Sequence, residues 1–376
     1  MNILRLSTLA LIMVILVPIN ASAHCKGKHT GNHEHCTGGD GGDDGSGEYF
    51  GSEGVDFRNP SGVSGFDWYI IGTPGSDNIT AGSGTDLIEG GDGHDEITAL
   101  GGNDEIHGQA GHDTIDGGEG TDLLLGGAGD DTLIYSLGGD TYDGGAGYDQ
   151  LKFQTAVTVT VDIATATYVV STTDGSGAQV TEIGTWQNIE SIGGGPGNDF
   201  ITGDALARNH ISGGDGNDFI LSGAGDDKLG GGSGDDEIYA GAGNDIISAG
   251  EGNDIVHAGA GNDIVGGLSY SGTSNDIFYG GEGCDTFIFN RAFGTATIMD
   301  FNYPYNGEFS CDLIHFRYET FWRADPGDAE INIVDNDIVI DIWIKRGGGV
   351  GGTVILKDAL LNGVSVVMSD ISFEPE

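Results

Sequence analysis

Apolar and acidic positions recur every nine residues along much of the chain. From Gly72 to Lys152 the sequence divides without gaps into nine nonapeptides, each with Asp at its sixth position, and Gly predominates at each of the first, second and fourth positions. A nine-residue unit with one obligatory apolar position cannot enclose a core, so successive units must stack. The inward-facing eighth position is filled by Ile79, Ile88, Ile97, Ile106, Ile115, Leu124, Leu133, Tyr142 and Leu151.

A second array runs from Gly194 to Ile288. It contains a ten-residue unit, 203–212, that lacks Asp at the usual place, and a thirteen-residue unit, 267–279. Between the arrays, residues 153–193 alternate β-branched residues with others around a turn-like Asp-Gly-Ser-Gly, which predicts a connecting β-hairpin. Residues 289–376 contain further strand-like runs and predict a β-rich C-terminal cap.

The last three residues of each unit suit a short strand, and the Gly-rich first six suit a turn. Two units on opposite sides then make one coil, and the Asp side chains of every second unit line up along one edge. The predicted fold is all-β, a parallel β-roll in two blocks. The predicted divisions are 1–23 signal peptide, 24–48 Cys/His-rich segment and Gly/Asp linker, 49–152 N-terminal cap and first roll, 153–193 hairpin, 194–288 second roll, and 289–376 cap.

The charge of the chain points to bound cations. Among 376 residues there are 59 Asp and Glu but 13 Lys and Arg, a formal charge of -46. This excludes nucleic acid as a partner and disfavours an anionic membrane. Aligned carboxylates and exposed turn carbonyls are hard oxygen ligands, which favours Ca²⁺ over Zn²⁺ or Mg²⁺. On the order of a dozen ions would offset about half of the charge, so folding and metal binding are predicted to be coupled.

The alternative is that the Asp-Gly repeats are only turn formers or a flexible linker. A linker does not require an apolar residue two positions after each Asp. The repeat pattern therefore favours a folded, metal-binding array.

The nonapeptide G-G-x-G-x-D-x-U-x resembles the RTX, or hemolysin-type, calcium-binding repeats. The resemblance covers about residues 72–376, because VTVDIATATYVV and TFIFNRAFGTATIMDF are similar to the segment between RTX blocks and to the C-terminal cap of the family. It implies a right-handed parallel β-roll with several Ca²⁺ ions held between turns by sixth-position Asp side chains and nearby carbonyls. The implied ligands are Asp86, Asp95, Asp104, Asp113, Asp122, Asp131, Asp140, Asp218, Asp227, Asp236, Asp245, Asp254, Asp263 and Asp276.

Four sixth-position aspartates are left out of this set because they lie at the ends of arrays. An end turn lacks a neighbour that would complete the ligands of an ion. These residues are Asp77, Asp149, Asp199 and Asp285.

The N-terminus predicts export. Arg5, the apolar run 9–19 and Ala21-Ser22-Ala23 fit a signal peptide cleaved after Ala23, and the run is too short to span a bilayer. We expect a secreted protein without a transmembrane segment, with the periplasm or cell surface as alternatives.

Export also makes disulfides the default for the four cysteines, although three connectivities are open. Chain proximity favours Cys25 with Cys36 and Cys284 with Cys311. The first pair lies in a cluster that could instead bind Zn²⁺ or Cu²⁺. This cluster consists of His24, Cys25, His29, His33, His35 and Cys36.

Catalysis is not expected. The sequence has no H-E-x-x-H and no G-x-S-x-G, and residues 24–71 are too few for an ordinary hydrolase domain. One hypothesis is a calcium-dependent structural or surface protein with a cell-surface, carbohydrate or protein partner. The other is a non-catalytic module for a separate secreted enzyme or toxin. Ice binding is disfavoured because the third position carries no Thr ladder; Asn recurs at the fifth position alone.

Overall fold

The computed structural model describes residues 50–51, 56–58, 66–154, 158–173, 179–267, 274–289, 294–301, 312–318, 329–334, 337–344, 349–356 and 371–375. These residues form strands and turns, and no helix occurs among them. The predicted all-β fold is confirmed. Within the same residues there is accordingly no helix with the length and hydropathy needed to cross a membrane.

The N-terminal strands and first block comprise β1 Phe50–Gly51, β2 Asp56–Arg58, β3 Trp68–Ile71, β4 Asn78–Thr80, β5 Asp86–Asp92, β6 Glu96–Thr98, β7 Glu105–Ala110, β8 Thr114–Asp116, β9 Leu123–Ala128, β10 Thr132–Tyr135, β11 Thr141–Ala146 and β12 Gln150–Phe153. The connecting strands are β13 Thr158–Asp162, β14 Thr167–Thr173 and β15 Gln179–Gln187.

The second block comprises β16 Ser191–Pro196, β17 Phe200–Thr202, β18 His210–Asp215, β19 Phe219–Ala224, β20 Lys228–Ser233, β21 Glu237–Ala242, β22 Ile246–Glu251, β23 Ile255–Ala260, β24 Ile264–Gly267, β25 Asn275–Glu282 and β26 Thr286–Phe289. The C-terminal strands are β27 Gly294–Ile298, β28 Leu313–Tyr318, β29 Ala329–Val334, β30 Asp337–Ile344, β31 Gly349–Leu356 and β32 Ile371–Pro375.

Two stacked sheets run the length of the molecule as a parallel β-solenoid of about twelve turns. The first sheet has the order β1-β4-β6-β8-β10-β12-β16-β18-β20-β22-β24-β26-β28-β32. Apart from antiparallel β1, its strands pair in parallel with registers that advance by one coil, as in Ile79 opposite Ile97. The second sheet has the order β2-β3-β5-β7-β9-β11-β15-β14-β13-β17-β19-β21-β23-β25-β27-β31-β30-β29.

The eighth position of each unit fills the core, as the period predicts. Ile79 and Ile97 point inward from the first sheet, and Ile88 and Ile106 point inward from the second, all with at most 1% of their surface exposed. Each fully buried aliphatic side chain contributes about 1.5–3 kcal/mol. Because the pairing repeats every eighteen residues, two nonapeptides form one coil.

Many strands are longer than the three residues that the pattern predicts. β5 runs from its sixth-position Asp86 through Gly90 and Gly91 of the next unit, and most second-block strands begin one residue after the sixth position and also continue into the next unit. Glycine at these positions lets the backbones of neighbouring coils approach closely enough to pair. The ladder therefore includes the Gly-Gly step that the sequence pattern assigns to a turn.

The predicted hairpin between the blocks corresponds to β14 and β15, and β13 adds a third antiparallel strand. β15 also pairs in parallel with β11, and β13 with β17. In the first sheet β12 pairs directly with β16. The two repeat blocks therefore form one continuous solenoid, with the extra strands inserted into the second sheet.

The C-terminal strands continue the stack. β27 and β31 extend the second sheet in parallel, β28 and β32 extend the first, and β29 and β30 complete the second sheet as antiparallel strands. The predicted β-rich cap is thus partly an extension of the solenoid. The residue boundaries predicted for the divisions of the chain stay predictions.

Cys284 is disulfide-bonded. Cys311 lies outside the described residues, so the pairing stays a prediction. The signal peptide, Cys25, Cys36 and the histidine cluster also lie outside them.

Candidate metal sites

The sixth-position side chains form an inner ladder along each edge of the solenoid. The backbone N–H of Asp86 donates to Asp104 Oδ1 of the next turn at 2.7 Å, and Asp104 N–H donates to Asp122 Oδ1 at 2.7 Å. This step recurs along both edges with distances of 2.6 to 3.3 Å. One carboxylate oxygen of each aspartate is thereby fixed.

The second carboxylate oxygen is buried and, within the described residues, accepts no hydrogen bond in fifteen of these aspartates. A buried acceptor without a donor costs about 1–3 kcal/mol, and more when it is charged. A buried acceptor that is unsatisfied at the same position of many units requires a physical explanation, and a bound cation would satisfy it. The fifteen are Asp86, Asp95, Asp104, Asp113, Asp122, Asp131, Asp149, Asp199, Asp218, Asp227, Asp236, Asp245, Asp254, Asp263 and Asp285.

A glycine and a carbonyl oxygen lie beside several of these free oxygens, whereas other units have Ala or Ser at the first position, such as Ala99 in the unit of Asp104. A Cβ added to Gly108 would lie 2.5 Å from Asp113 Oδ2 and 2.5 Å from the Gly126 carbonyl oxygen. At Gly126 the corresponding distances to Asp131 Oδ2 and the Gly144 carbonyl oxygen are both 2.5 Å. In these two units the first-position glycine therefore leaves a space between a carboxylate oxygen and a main-chain oxygen of the next coil.

Burial raises the pKa of these carboxyl groups, because the charged form loses its hydration. The pKa of Asp104 and of Asp236 rises to about 8. Backbone N–H donors oppose this rise, and neighbouring aspartates add to it. The pKa rises to about 7 or about 6 for Asp86, Asp122, Asp131, Asp149, Asp199, Asp218, Asp245, Asp254, Asp263 and Asp276.

Each of these turns contributes one buried sixth-position carboxylate. Across the described part of the chain, no three Asp, Glu, His or Cys side chains come together in one metal-binding group. A cation between turns must therefore take most of its ligands from main-chain carbonyls. Ca²⁺ accepts such mixed oxygen sets of six to eight ligands with flexible geometry, whereas Zn²⁺ prefers nitrogen and sulfur. The donor set fits calcium.

Two of the fourteen implied ligands differ from the rest. Asp140 Oδ2 accepts hydrogen bonds from the Tyr142 hydroxyl at 2.9 Å and the Ser136 hydroxyl at 3.1 Å. Asp276 Oδ2 accepts one from Ser274 Oγ at 3.2 Å. In both residues protein donors already satisfy the oxygen that is free elsewhere.

Among the four array-end aspartates, one has a hydrogen-bonded Oδ2 and three have a free Oδ2. Asp77 Oδ2 accepts from the backbone N–H and the hydroxyl of Thr73, at 2.6 and 2.9 Å. Asp149, Asp199 and Asp285 have the free, buried Oδ2 of the central turns. They have it because coils continue past the arrays: Asp149 N–H reaches Glu190, and Asp285 N–H reaches Asp312.

A second ladder, which the repeat pattern does not reveal, lies further out at the fifth position. Asn217 Oδ1 accepts the backbone N–H of Asp235 at 2.9 Å, and Asp235 Oδ1 accepts that of Asn253 at 2.8 Å. His94 Nδ1 accepts the backbone N–H of His112 at 2.8 Å in the same way. The residue types vary, and the shared property is a side-chain acceptor. This outer ladder runs from the later turn back to the earlier one, opposite to the inner ladder.

The fold and its turns define a parallel β-solenoid with repeated candidate cation sites. The family model described as RTX calcium-binding nonapeptide repeat (4 copies) matches residues 71–106, 98–133, 190–205, 206–229, 230–265 and 270–291. The chain therefore carries RTX calcium-binding nonapeptide repeats over the matched residues. No curated protein matches its sequence.

Two solved structures are similar to this chain in part. One is the extracellular lipase LipA from Serratia marcescens, at 20% identity and a TM-score of 0.20 over 78% of this chain and 41% of the lipase. The other is the AlgE6R3 subunit from the Azotobacter vinelandii mannuronan C5-epimerase, at 24% identity and a TM-score of 0.19 over 39% of this chain and 77% of the subunit. The matched region thus spans less than half of the lipase chain.

Proposed function

We propose that this RTX repeat protein is exported, folds on binding several Ca²⁺ ions at its turns, and acts as a structural, surface or interaction protein without catalytic activity. The observation that carries the proposal is the set of fifteen buried carboxylate oxygens without a hydrogen-bond donor in the described residues. Each belongs to an aspartate whose other oxygen is fixed by the preceding turn. A hard divalent cation is the ligand that such oxygens fit.

The proposed ligands are the aspartates with a free Oδ2, together with carbonyl oxygens such as that of Gly126 beside Asp113. They include Asp149, Asp199 and Asp285 and twelve of the fourteen residues implied by the family resemblance. Asp140 and Asp276 are proposed as structural instead, because hydroxyl groups already bind their second oxygens.

The protein residues explain why folding and binding would be linked. The inner ladder holds each carboxylate in a turn where burial disfavours its charge, so the ion-free roll is destabilised by its own ligands. Bound calcium would supply the positive charge that keeps these carboxylates ionised. Where the first position is glycine, as at Gly108 and Gly126, no side chain occupies the space beside Oδ2.

Export is proposed from Arg5, the apolar run 9–19 and Ala21-Ser22-Ala23. An extracellular location also suits the chemistry, since millimolar calcium outside cells fills even weak oxygen sites. Disulfide-bonded Cys284 is consistent with an oxidising compartment.

An interaction role is supported by the outer face of the second sheet in the second block. Phe200 and Leu221 are 43% and 40% exposed there. Beside them the rings of Tyr239, His257 and Tyr279 stack with centroids 4.5 and 4.3 Å apart. Such an apolar face is suited to a protein or carbohydrate partner.

Far-UV circular dichroism of residues 24–376 tests the proposal, in EDTA and then across a calcium titration with magnesium as control. We expect a cooperative gain of β signal with calcium and little with magnesium. A spectrum that ignores calcium would mean that the aspartates act only as turn residues.

A further inference from the structure

One turn of the solenoid is closed by an amide instead of a carboxylate. Asn209 occupies the ladder position of the sixth-position aspartates, and its backbone N–H donates to Asp227 Oδ1 at 2.6 Å. Its side-chain Nδ2 lies within hydrogen-bond distance of four oxygens. These are the carbonyl oxygens of Asp204 at 3.1 Å, Ala207 at 3.0 Å and Ser222 at 3.2 Å, and Asp227 Oδ1 at 3.0 Å.

The side-chain amide of Asn209 occupies the position that the free Oδ2 of an aspartate occupies in other turns. A Cβ on Gly203 would lie 2.4 Å from the Ser222 carbonyl oxygen and 2.9 Å from Asn209 Cγ. One unit on, a Cβ on Gly213 would lie 2.6 Å from the Gly231 carbonyl oxygen, with Asp218 Oδ2 beside it. The space beside this carbonyl oxygen therefore contains an N–H donor in one turn and an unsatisfied carboxylate oxygen in the next.

On the opposite edge of the solenoid, just before the connecting strands, the turn of Asp140 is also completed by protein groups. There the Tyr142 and Ser136 hydroxyls satisfy Asp140 Oδ2. The Glu182 carboxylate on β15 accepts the backbone N–H groups of Gly138 and Gly139 at 3.0 and 2.7 Å. Protein groups thus complete this turn from within the chain.

A large aromatic core lies between the two closed turns. Tyr135 and Phe153 lie 4.7 Å apart between ring centroids, Tyr168 lies 5.3 Å from Tyr135, and Trp186 stacks on Tyr168 at 6.3 Å. All four are at most 7% exposed. Most other coils bury one aliphatic side chain per unit, so the apolar stabilisation is concentrated here.

We infer that the junction, defined as residues 135–142, strands β13–β15 and residues 203–210, keeps its structure without calcium and separates two calcium-dependent arrays. Only the calcium dependence of the arrays is taken from the proposed function. Along the first edge, Glu190 and Asn209 interrupt the aspartates between Asp149 and Asp227. Along the second, Asp140 and the connecting strands interrupt them between Asp122 and Asp199. The junction would then serve as the preformed template on which each array closes as calcium rises.

Hydrogen exchange with mass spectrometry on residues 24–376, in EDTA and in calcium, tests this directly. In EDTA we expect amides of β13–β15 and the Asn209 turn to exchange at least 10-fold more slowly than those of β7, β9, β20 and β22. In calcium all of them become protected. If the junction amides are protected only in calcium, as the array amides are, the inference is overturned and the proposed function stands.

Two other outcomes separate the claims. Protection of every segment in EDTA would overturn both the inference and the proposed function. Protection of the junction in both conditions, with arrays that stay unprotected in calcium, would support the inference and overturn the proposed function.

A variant pair tests the role of the amide. Asn209→Asp replaces the donor by a carboxylate, so the turn should lose its protection in EDTA and regain it in calcium, with one additional ion per chain by elemental analysis. Asn217→Asp is the matched control, because this exposed fifth-position residue keeps its acceptor and the same change of charge. An Asn209→Asp protein that stays protected in EDTA would contradict the assignment.

Discussion

The backbone N–H of Asp104 donates to Oδ1 of Asp122 at 2.7 Å, while the other carboxylate oxygen of Asp122 is buried with no donor among the described residues. The two oxygens of one side chain therefore differ in role. The first ties successive turns together, and the second is available to a ligand. Substitutions that separate these roles give the sharpest tests.

Asp122→Asn keeps the Oδ1 acceptor and replaces the free oxygen by an amide. Because a buried carboxylate is removed, we expect unchanged or higher stability in EDTA. In calcium we expect lower stability and an apparent affinity at least roughly 10-fold weaker, since even outer-sphere partners of a metal matter by that much. Thermal unfolding in both conditions measures this. Exposed Asp92→Asn is the matched control, and equal effects of the two variants would argue against a ligand role.

The ion-free protein should gain stability on acidification. The folded-state pKa is about 8 for Asp104 and Asp236, above the ordinary 3.8, so the folded form binds more protons than the unfolded chain between about pH 4 and pH 8. In EDTA, stability falls as pH rises through this window.

In saturating calcium the dependence should reverse, because protons then compete with the ion for the same oxygens. Denaturant unfolding at pH 5, 6, 7 and 8 checks both directions. Exposed carboxylates titrate near pH 4, so a change confined to that region would count against the buried ladder as its cause.

Gly108→Ala should be destabilising by about 1–3 kcal/mol, the range for overpacking. The added methyl group would lie 2.5 Å from both Asp113 Oδ2 and the Gly126 carbonyl oxygen. Gly230→Ala is the control, since its nearest neighbour would be Ser212 Oγ at 3.8 Å. We expect the control to be neutral or stabilising by up to about 1 kcal/mol. Urea unfolding in calcium measures the stability of both variants. Similar losses of stability would show that the space beside Asp113 Oδ2 has no specific role.

Asn217→Ala removes an acceptor of the outer ladder. The Asp235 N–H would lose its 2.9 Å partner, which costs about 0.5–1.5 kcal/mol. Asn217→Asp retains the acceptor and should keep wild-type stability. Calcium affinity measured by titration calorimetry should be the same in both variants. A large loss of affinity in the alanine variant would show that the outer ladder also shapes the metal sites.

The core and the inner ladder could be predicted from the nine-residue period because each depends on one invariant position. Ile79, Leu124 and Leu151 are buried as the period requires. The sixth-position aspartates align every eighteen residues as expected. A strict nine-residue recurrence of an apolar residue and of Asp is sufficient to place the core and the inner ladder.

The outer ladder could not be predicted because its residues share only an acceptor atom. Asn217, Asp235 and His94 look unrelated in sequence. The state of each Oδ2 also depends on distant neighbours, such as Tyr142 for Asp140. The surroundings of the array ends are hidden for a similar reason, because strands outside the repeat pattern supply the next coil beside Asp149.

The two ladders run in opposite directions and give the repeat coils a common polarity. In most turns of the arrays, one backbone N–H donates forward to an inner aspartate and another donates backward to an outer side chain. Duplication of eighteen residues would therefore add one coil with all its turn contacts already complete. The rod would lengthen by about 4.8 Å with each duplication, and length can evolve in whole steps without redesign of the parts on either side.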